Sequence, residues 1–216
     1  MVQKNFQHVS NWVFDLDDTL YPPEMGLFDQ IEDRMIDCIM KRLKLSRPEA
    51  NLLRRQYWQR YGTTLAGLMH EHRLDPKEYL AAVHDVDFSP LRPDPELARA
   101  ISNLPGRRII FTNADRTYAA EVLKRRGLEG LFHAVYGVEE ANYHPKPNRI
   151  AFDTIFGLEG LEPNQAAMFE DCSRNLVVPH TLGMQTVLVS SQPIEAPHIR
   201  YRTDDLAAFL DRIVTA

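Results

Sequence analysis

Five short apolar runs punctuate the chain: Trp12 to Leu16, Arg108 to Phe111, Ala134 to Tyr136, Ala166 to Phe169 and Thr186 to Val189. Each is bounded by polar or turn residues. Their hydrophobicity is continuous instead of alternating, which predicts strands covered on both faces, as in a parallel sheet. Helical patterns fill the later gaps. Arg116 to Arg126, Pro147 to Phe156 and Arg174 to Leu182 each lie between consecutive runs, and Asp204 to Ile213 can close the fold. Such alternation predicts an α/β fold with a doubly wound parallel sheet. At 216 residues, 44% hydrophobic and 25% charged, the chain can bury one sizeable core and carry a small second domain.

The first gap breaks the alternation. It spans roughly ninety residues, where a crossover needs only about a dozen. Phe28, Ile31, Met35, Ile36, Ile39, Met40 and Leu43 recur at helical spacing and predict an amphipathic helix from about Leu27 to Leu43. Ser46-Arg-Pro-Glu49 reads as a capping box, with Ser46 as N-cap, opening a second helix that runs to about Tyr61. Gly62-Thr63-Thr64 interrupts it, a short helix follows to about Glu71, and Asp75-Pro76 opens another that ends near His84. Asp94-Pro95 starts the helix that returns the chain to the sheet. The expected division is an α/β core over 1–21 and 91–216 with an all-helical insert over 22–90.

Asp15-Leu16-Asp17-Asp18-Thr19 closes the first run. Carboxylates at the end of a buried strand concentrate charge that a divalent cation with oxygen ligands neutralises most simply. In an open parallel sheet, ligands bind beyond the carboxyl ends of the strands. There the chain keeps Asp15 and Asp17, Thr112 and Asn113, and Glu170 and Asp171, with Lys146 on the loop after the third run. An acid cluster, hydroxyl and amide donors and one ammonium suit a phosphoryl group.

Asp15-Leu16-Asp17-Asp18-Thr19, Thr112-Asn113, Lys146-Pro147-Asn148 and Glu170-Asp171 resemble, in order, the four motifs of the haloacid dehalogenase superfamily. The insert after the first motif resembles the helical cap of one branch. The resemblance implies a Rossmann-like core, Mg2+ as cofactor, and a phosphatase that works through an aspartyl-phosphate. It implies Asp15 as nucleophile, and Asp17 as the acid that protonates the leaving oxygen, then activates water, and lends its backbone carbonyl to the metal. Asp171 is implied as the other metal carboxylate. Lys146, Thr112 and Asn113 are implied to meet the phosphate, with Glu170, Asn175 and Thr19 in support. Phosphatases and phosphomutases of the superfamily carry the second acid, which dehalogenases lack, so Asp17 favours phosphate esters. Relatives often have two aspartates in the fourth motif; Glu170 here leaves its direct contact with the metal open.

Within that branch, Phe14 to Pro22, Tyr61-Gly-Thr-Thr-Leu-Ala-Gly-Leu68, His144-Pro-Lys-Pro147 and Phe169 to Leu176 are most similar to pyrimidine 5'-nucleotidases. The implied partner is a small phosphorylated metabolite, a pyrimidine nucleoside 5'-monophosphate. By that resemblance Thr63 and Thr64 approach the substrate, and Tyr21 or Met25 lines the entrance. Gly62-Thr63-Thr64 reads equally well as a helix break and cap. The alternatives are a phosphoglycolate or sugar-phosphate phosphatase, a phosphomutase, or a receiver-like phosphoacceptor module. The last would place its acids on different strands and carry no insert after the first.

Other residues have plainer readings. Asp18 reads as a solvated or capping acid outside the site, and Asp115 as an N-cap. Arg54-Arg55-Gln-Tyr57-Trp58 reads as a helix with an aromatic core face and solvated arginines. Cys38 and Cys172 lack partners at metal-ligand spacing and suggest neither a disulfide scaffold nor zinc. With 25 basic against 30 acidic residues, a net charge of -5 and scattered arginine pairs, no nucleic acid polymer is expected as a partner. The first ten residues lack a long apolar segment and no later stretch reaches a membrane span, so the expected location is cytoplasmic.

Overall fold

A computed structural model describes residues 3–214. The expected outer limits of the core, residues 1 and 216, lie outside them. Six strands form one parallel sheet in the order β3-β2-β1-β4-β5-β6. They are β1 Asn11–Phe14, β2 Arg107–Phe111, β3 Ala134–Tyr136, β4 Ala166–Glu170, β5 Gln185–Val189 and β6 Tyr201–Thr203. Successive side chains of a strand point to opposite faces, and both faces are covered. Trp12 and Phe14 enter a core with α5 (Pro95–Ser102), α6 (Arg116–Arg125) and α9 (Leu206–Val214), whereas Val13 enters a second core with α7 (Arg149–Glu159). Phe14 stacks on Phe169 across the β1–β4 pair at 4.7 Å between ring centres, and Phe209 of α9 meets Phe169 edge-on. This double covering is why the strands read as unbroken apolar runs.

Three elements differ from the sequence expectation. β6 was not among the five runs, because it is three residues long at the sheet edge, where only Thr203 is buried. The helix after β3 starts at Arg149 and not at Pro147, since the Asn148 side chain accepts the Ile150 N–H at 2.9 Å and takes the N-cap. The stretch from Arg174 to Leu182 divides into a 3-10 turn, Ser173–Leu176, and a short α8, Val177–Thr181.

The insert contributes α1 Leu27–Leu43, α2 Arg47–Tyr61, α3 Thr64–His72 and α4 Pro76–Val83, which pack on one another. At the start of α2 the Glu49 carboxylate accepts the Ser46 N–H at 2.8 Å and its hydroxyl at 2.6 Å. Gly67 lets α3 lie directly on α2, for a Cβ there would come within 2.3 Å of the Tyr57 ring. No helix of the described residues is long and apolar enough to cross a membrane.

Candidate active site

The register of the central strands brings the first, second and fourth motifs to one rim. Phe14 is level with Ile110 and with Phe169. The Asp15 N–H then donates to the Phe169 carbonyl at 2.9 Å, and the Thr112 N–H to the Tyr136 carbonyl at 3.0 Å. Lys146 arrives from the loop after β3, which Asn113 clips in place. The Asn113 amide oxygen accepts the Lys146 N–H at 2.8 Å, and its Nδ2 donates to the Lys146 carbonyl at 3.3 Å. Asn113 therefore holds the lysine loop, and its amide is largely engaged there. From the insert, Gly62 (φ +93°) closes over the same loop; a Cβ on it would stand 3.2 Å from the Lys146 carbonyl oxygen.

Lys146 is 1% exposed and donates from Nζ to Asp15 Oδ1 at 2.6 Å and to Glu170 Oε2 at 2.7 Å. Burial alone would push its ammonium down, but the Asp15 and Glu170 charges outweigh that and hold it above its ordinary value. Glu170 is pushed up by burial and by Asp15, and drawn back by Lys146 and by Asn175, whose Nδ2 donates to Oε1 at 3.0 Å. Asp171 is pushed well up by burial, Glu170 and Asp15. Thr19 Oγ1 lies 3.5 Å from Asp15 Oδ2, the outer limit of a hydrogen bond. Thr112 is buried with Oγ1 accepting the Ala114 N–H at 3.0 Å, so its hydroxyl proton is free to donate. The Cys172 thiol is pushed up to about 12 by burial and the neighbouring acids, and stays protonated.

Asp15, Glu170 and Asp171 bring carboxylate oxygens within 4.8 Å of one another. Lys146 offers one positive charge against the three carboxylates, and burial, together with the neighbouring acids, raises both Glu170 at the end of β4 and Asp171 just beyond it. Asp18, half-buried and with φ of 54°, adds a buried Oδ1 without a hydrogen-bond partner. An all-oxygen, charge-deficient set of this kind fits a hard divalent cation such as magnesium.

Asp17 stands apart from that cluster. Its Oδ1 accepts the Tyr21 hydroxyl at 2.6 Å and the Tyr118 hydroxyl at 2.7 Å. Burial and Asp15 push its carboxyl up, while both phenols draw it down. Both phenols are themselves held well above their ordinary value by burial and by Asp17, so they remain donors.

A cavity of about 420 Å³ separates the rim from the insert. Asp15, Asp17 and Lys146 form its floor; Ile31, Met35, Leu65, Leu80 and Val83 supply an apolar wall. Arg54 also lines it, its guanidinium held by Glu32 at 2.6 Å and Asn51 at 3.1 Å. Thr63 and Thr64 both border the cavity and both serve the helix break: Thr63 Oγ1 accepts the Ala66 N–H at 3.1 Å, and Thr64 Oγ1 donates to the Arg54 carbonyl at 3.4 Å. Tyr21 is not an entrance residue, being buried and bonded to Asp17. Met25, half-buried beside the core, is outside the cavity lining. Asp18, expected outside the site, borders the cavity.

The sequence pattern of haloacid dehalogenase-like hydrolases matches residues 12–176. The chain belongs to this family. Structures of the same fold include a magnesium-bound hydrolase of the superfamily from Bacillus subtilis, with TM-score 0.62 and 14% identity over 96% of this chain and 99% of that one. A haloacid dehalogenase-type phosphatase from Thermococcus onnurineus aligns with TM-score 0.60 and 19% identity over 95% and 97%. An L-2-haloacid dehalogenase from Xanthobacter autotrophicus, with chloropropionic acid covalently bound, aligns with TM-score 0.55 and 16% identity over 85% and 78%. In sequence the hydrolase is 25% identical over 193 residues to phosphate metabolism protein 8 of Saccharomyces cerevisiae, covering 81% of this chain but 60% of that protein's length.

Three residues of this hydrolase's site escaped the motif reading. Tyr118 sits in the first turn of α6, His84 caps the end of α4, and Arg54 lies mid-way along α2. Only Tyr118 had a usable signal, its place one helical turn beyond a strand end that already carried Thr112 and Asn113.

Proposed function

We propose that this hydrolase is a magnesium-dependent phosphatase acting on a small phosphate monoester, with a pyrimidine nucleoside 5'-monophosphate as the favoured substrate. The observation that carries the reading is Asp17, a second acid bordering the same cavity as Asp15 but bonded to different partners. Displacing a halide requires no proton, whereas an alkoxide leaving from phosphorus requires one. The acid cluster supports the same choice, since Asp15, Glu170 and Asp171 would hold a magnesium ion that neutralises phosphate charge.

In this reading Asp15 attacks phosphorus and Asp17 protonates the departing oxygen. Lys146 orients the Asp15 carboxylate through Oδ1 and faces the incoming negative charge, and the free Thr112 hydroxyl proton meets a phosphate oxygen. Asp17 then accepts a proton from the water that releases phosphate from Asp15. The helices α1–α4 act as a cap that keeps bulk water and large substrates from the floor. The apolar cavity wall, closed by Arg54 and Glu32, suits a base with a polar edge better than a sugar, whose hydroxyls would meet few partners.

The test is phosphate release with magnesium from uridine and cytidine monophosphates beside purine nucleotides, phosphoglycolate and sugar phosphates. Release fastest from the pyrimidine nucleotides is expected. Release from none would sink the enzyme reading, and equal rates would sink the base preference. Asp15→Asn is expected to abolish turnover with the fold unchanged by circular dichroism; retained activity refutes Asp15 as nucleophile.

A further inference from the structure

The Asp17 carboxylate is gripped unevenly. Tyr21 and Tyr118 both donate to Oδ1, and their hydroxyls lie 3.3 Å apart. Oδ2 carries no hydrogen bond among the described residues, and Asp17 borders the cavity. Two charge-assisted hydrogen bonds on one oxygen fix the carboxyl torsion and leave the other oxygen to carry the reacting proton.

Tyr118 is held in turn by the cap. The His84 ring stacks on it with centroids 4.4 Å apart and planes 23° from parallel, and Phe88 packs against it at 5.7 Å. His84 Nδ1 lies 2.5 Å from Asp115 Oδ2, while Asp115 Oδ1 accepts the Tyr118 N–H at 2.8 Å. His84 follows the last residue of α4. One unbroken chain of contacts thus runs from the end of the cap to the acid.

We propose that Tyr21 and Tyr118 are positioning residues that present Asp17 Oδ2 to the ester oxygen, and that His84 makes this arrangement depend on the cap's seat on the core. The proposal rests on the reading of Asp17 as proton donor. In the first step the proton on Oδ2 passes to the bridging oxygen as the phosphorus–alkoxide bond breaks and the Asp15–phosphorus bond forms. In the second, Oδ2 takes a proton from water as its oxygen bonds phosphorus and the Asp15–phosphorus bond breaks. Monoester and water give alcohol and phosphate, the phenol protons stay in place, and Asp17 ends as it began.

The discriminating measurement is kcat/KM, which covers steps up to loss of the leaving group, on a nucleoside 5'-monophosphate and on p-nitrophenyl phosphate. The alkoxide needs the proton; p-nitrophenolate does not. Tyr118→Phe keeps the ring under His84 and removes one donor. It is expected to lower kcat/KM for the nucleotide about tenfold or more, as for loss of one hydrogen bond to a charged acceptor, and for the aryl ester no more than about twofold. His84→Ala is expected to shift the ratio in the same direction, by less. Equal losses on both esters, or no loss on the nucleotide, overturn the positioning role; an unchanged ratio in His84→Ala overturns the link to the cap. Crystal structures of the wild type and the Tyr21→Phe/Tyr118→Phe double variant give a second readout independent of turnover. The Asp17 side chain is expected to turn in the variant, and an unchanged torsion overturns the clamp. Wild type that releases phosphate from no ester refutes the phosphatase reading instead, and the crystal comparison still decides the clamp.

Discussion

Replacing Lys146 with methionine preserves most of the side-chain volume and deletes one charge. The lysine makes two short hydrogen bonds to carboxylates, at 2.6 and 2.7 Å, in a site where it is 1% exposed. Removing one partner of a buried ion pair costs about 3–5 kcal/mol, because the other charge is left buried and unpaired. Two hydrogen bonds to charged groups, at about 1.5–3 kcal/mol each, give a similar figure. Glu170, already pushed up by burial and Asp15, can relieve part of the excess by taking a proton, so the lower end applies. The expected loss is about 3 kcal/mol in urea unfolding near neutral pH with EDTA, or a fall in Tm of roughly 6–12 °C for a chain of this size. Magnesium is expected to narrow the gap, since a cation bound among the three acids replaces the missing charge. A loss under about 1 kcal/mol, or a gap indifferent to magnesium, refutes the charge balance assigned to this rim.

Asp115 supplies a pH-dependent case away from the acid cluster. Burial works to raise its carboxyl, but the His84 ring and the Tyr118 N–H outweigh it and hold it below the ordinary range. Its contribution to stability is therefore present above the unfolded value of about 4 and lost as pH falls through the lower folded value. Asp115→Asn is expected to be about 1 kcal/mol less stable than wild type near neutral pH, with the gap closing in thermal melts below about pH 4. A gap that widens on acidification refutes the assignment. Gly62→Ala places a Cβ at φ +93° against Pro145 and the Lys146 carbonyl. It is expected to cost about 1–2 kcal/mol in urea unfolding and to lower kcat/KM, and a neutral variant would show that the cap does not press on the lysine loop.

The first five strands were legible, β3 at Ala134–Tyr136 included; the sheet is covered on both faces, so Trp12-Val13-Phe14 and Ala167-Met168-Phe169 read as solid apolar runs. The rim was legible for a related reason. A parallel sheet delivers the carboxyl ends of its strands to one side whatever their order in sequence, and thus gathers Asp15, Thr112 and Glu170. β6 was invisible because an edge strand of three residues needs no apolar run, only one neighbour to bond. Tyr118 and His84 were invisible as a pair because helical periodicity gives each a face but not the angle at which α4 meets α6. Thr63 was ambiguous in sequence for a sound reason: its hydroxyl caps α3 while the residue borders the cavity, so the two readings describe one position.

Two of the contacts that seat the insert on the core are unequal. On one side Arg174 lies over the Trp58 ring at 4.5 Å and donates to the Trp58 carbonyl at 2.9 Å, but the indole is 43% exposed. Such a wet cation–π contact is worth about 0.5–1 kcal/mol. On the other side the His84–Asp115 pair is nearly buried, its side chains 10% and 12% exposed, and a stacked tyrosine lies beneath it. Separating that pair would leave Asp115 facing Tyr118 without its partner, and would loosen the ring whose hydroxyl holds Asp17. Trp58 and His84 both line the cavity, Trp58 beside Arg54 and His84 where the chain returns from α4 to the core. Of these two contacts the Trp58–Arg174 one is therefore the cheaper to break, and breaking it leaves the contacts that orient Asp17 made.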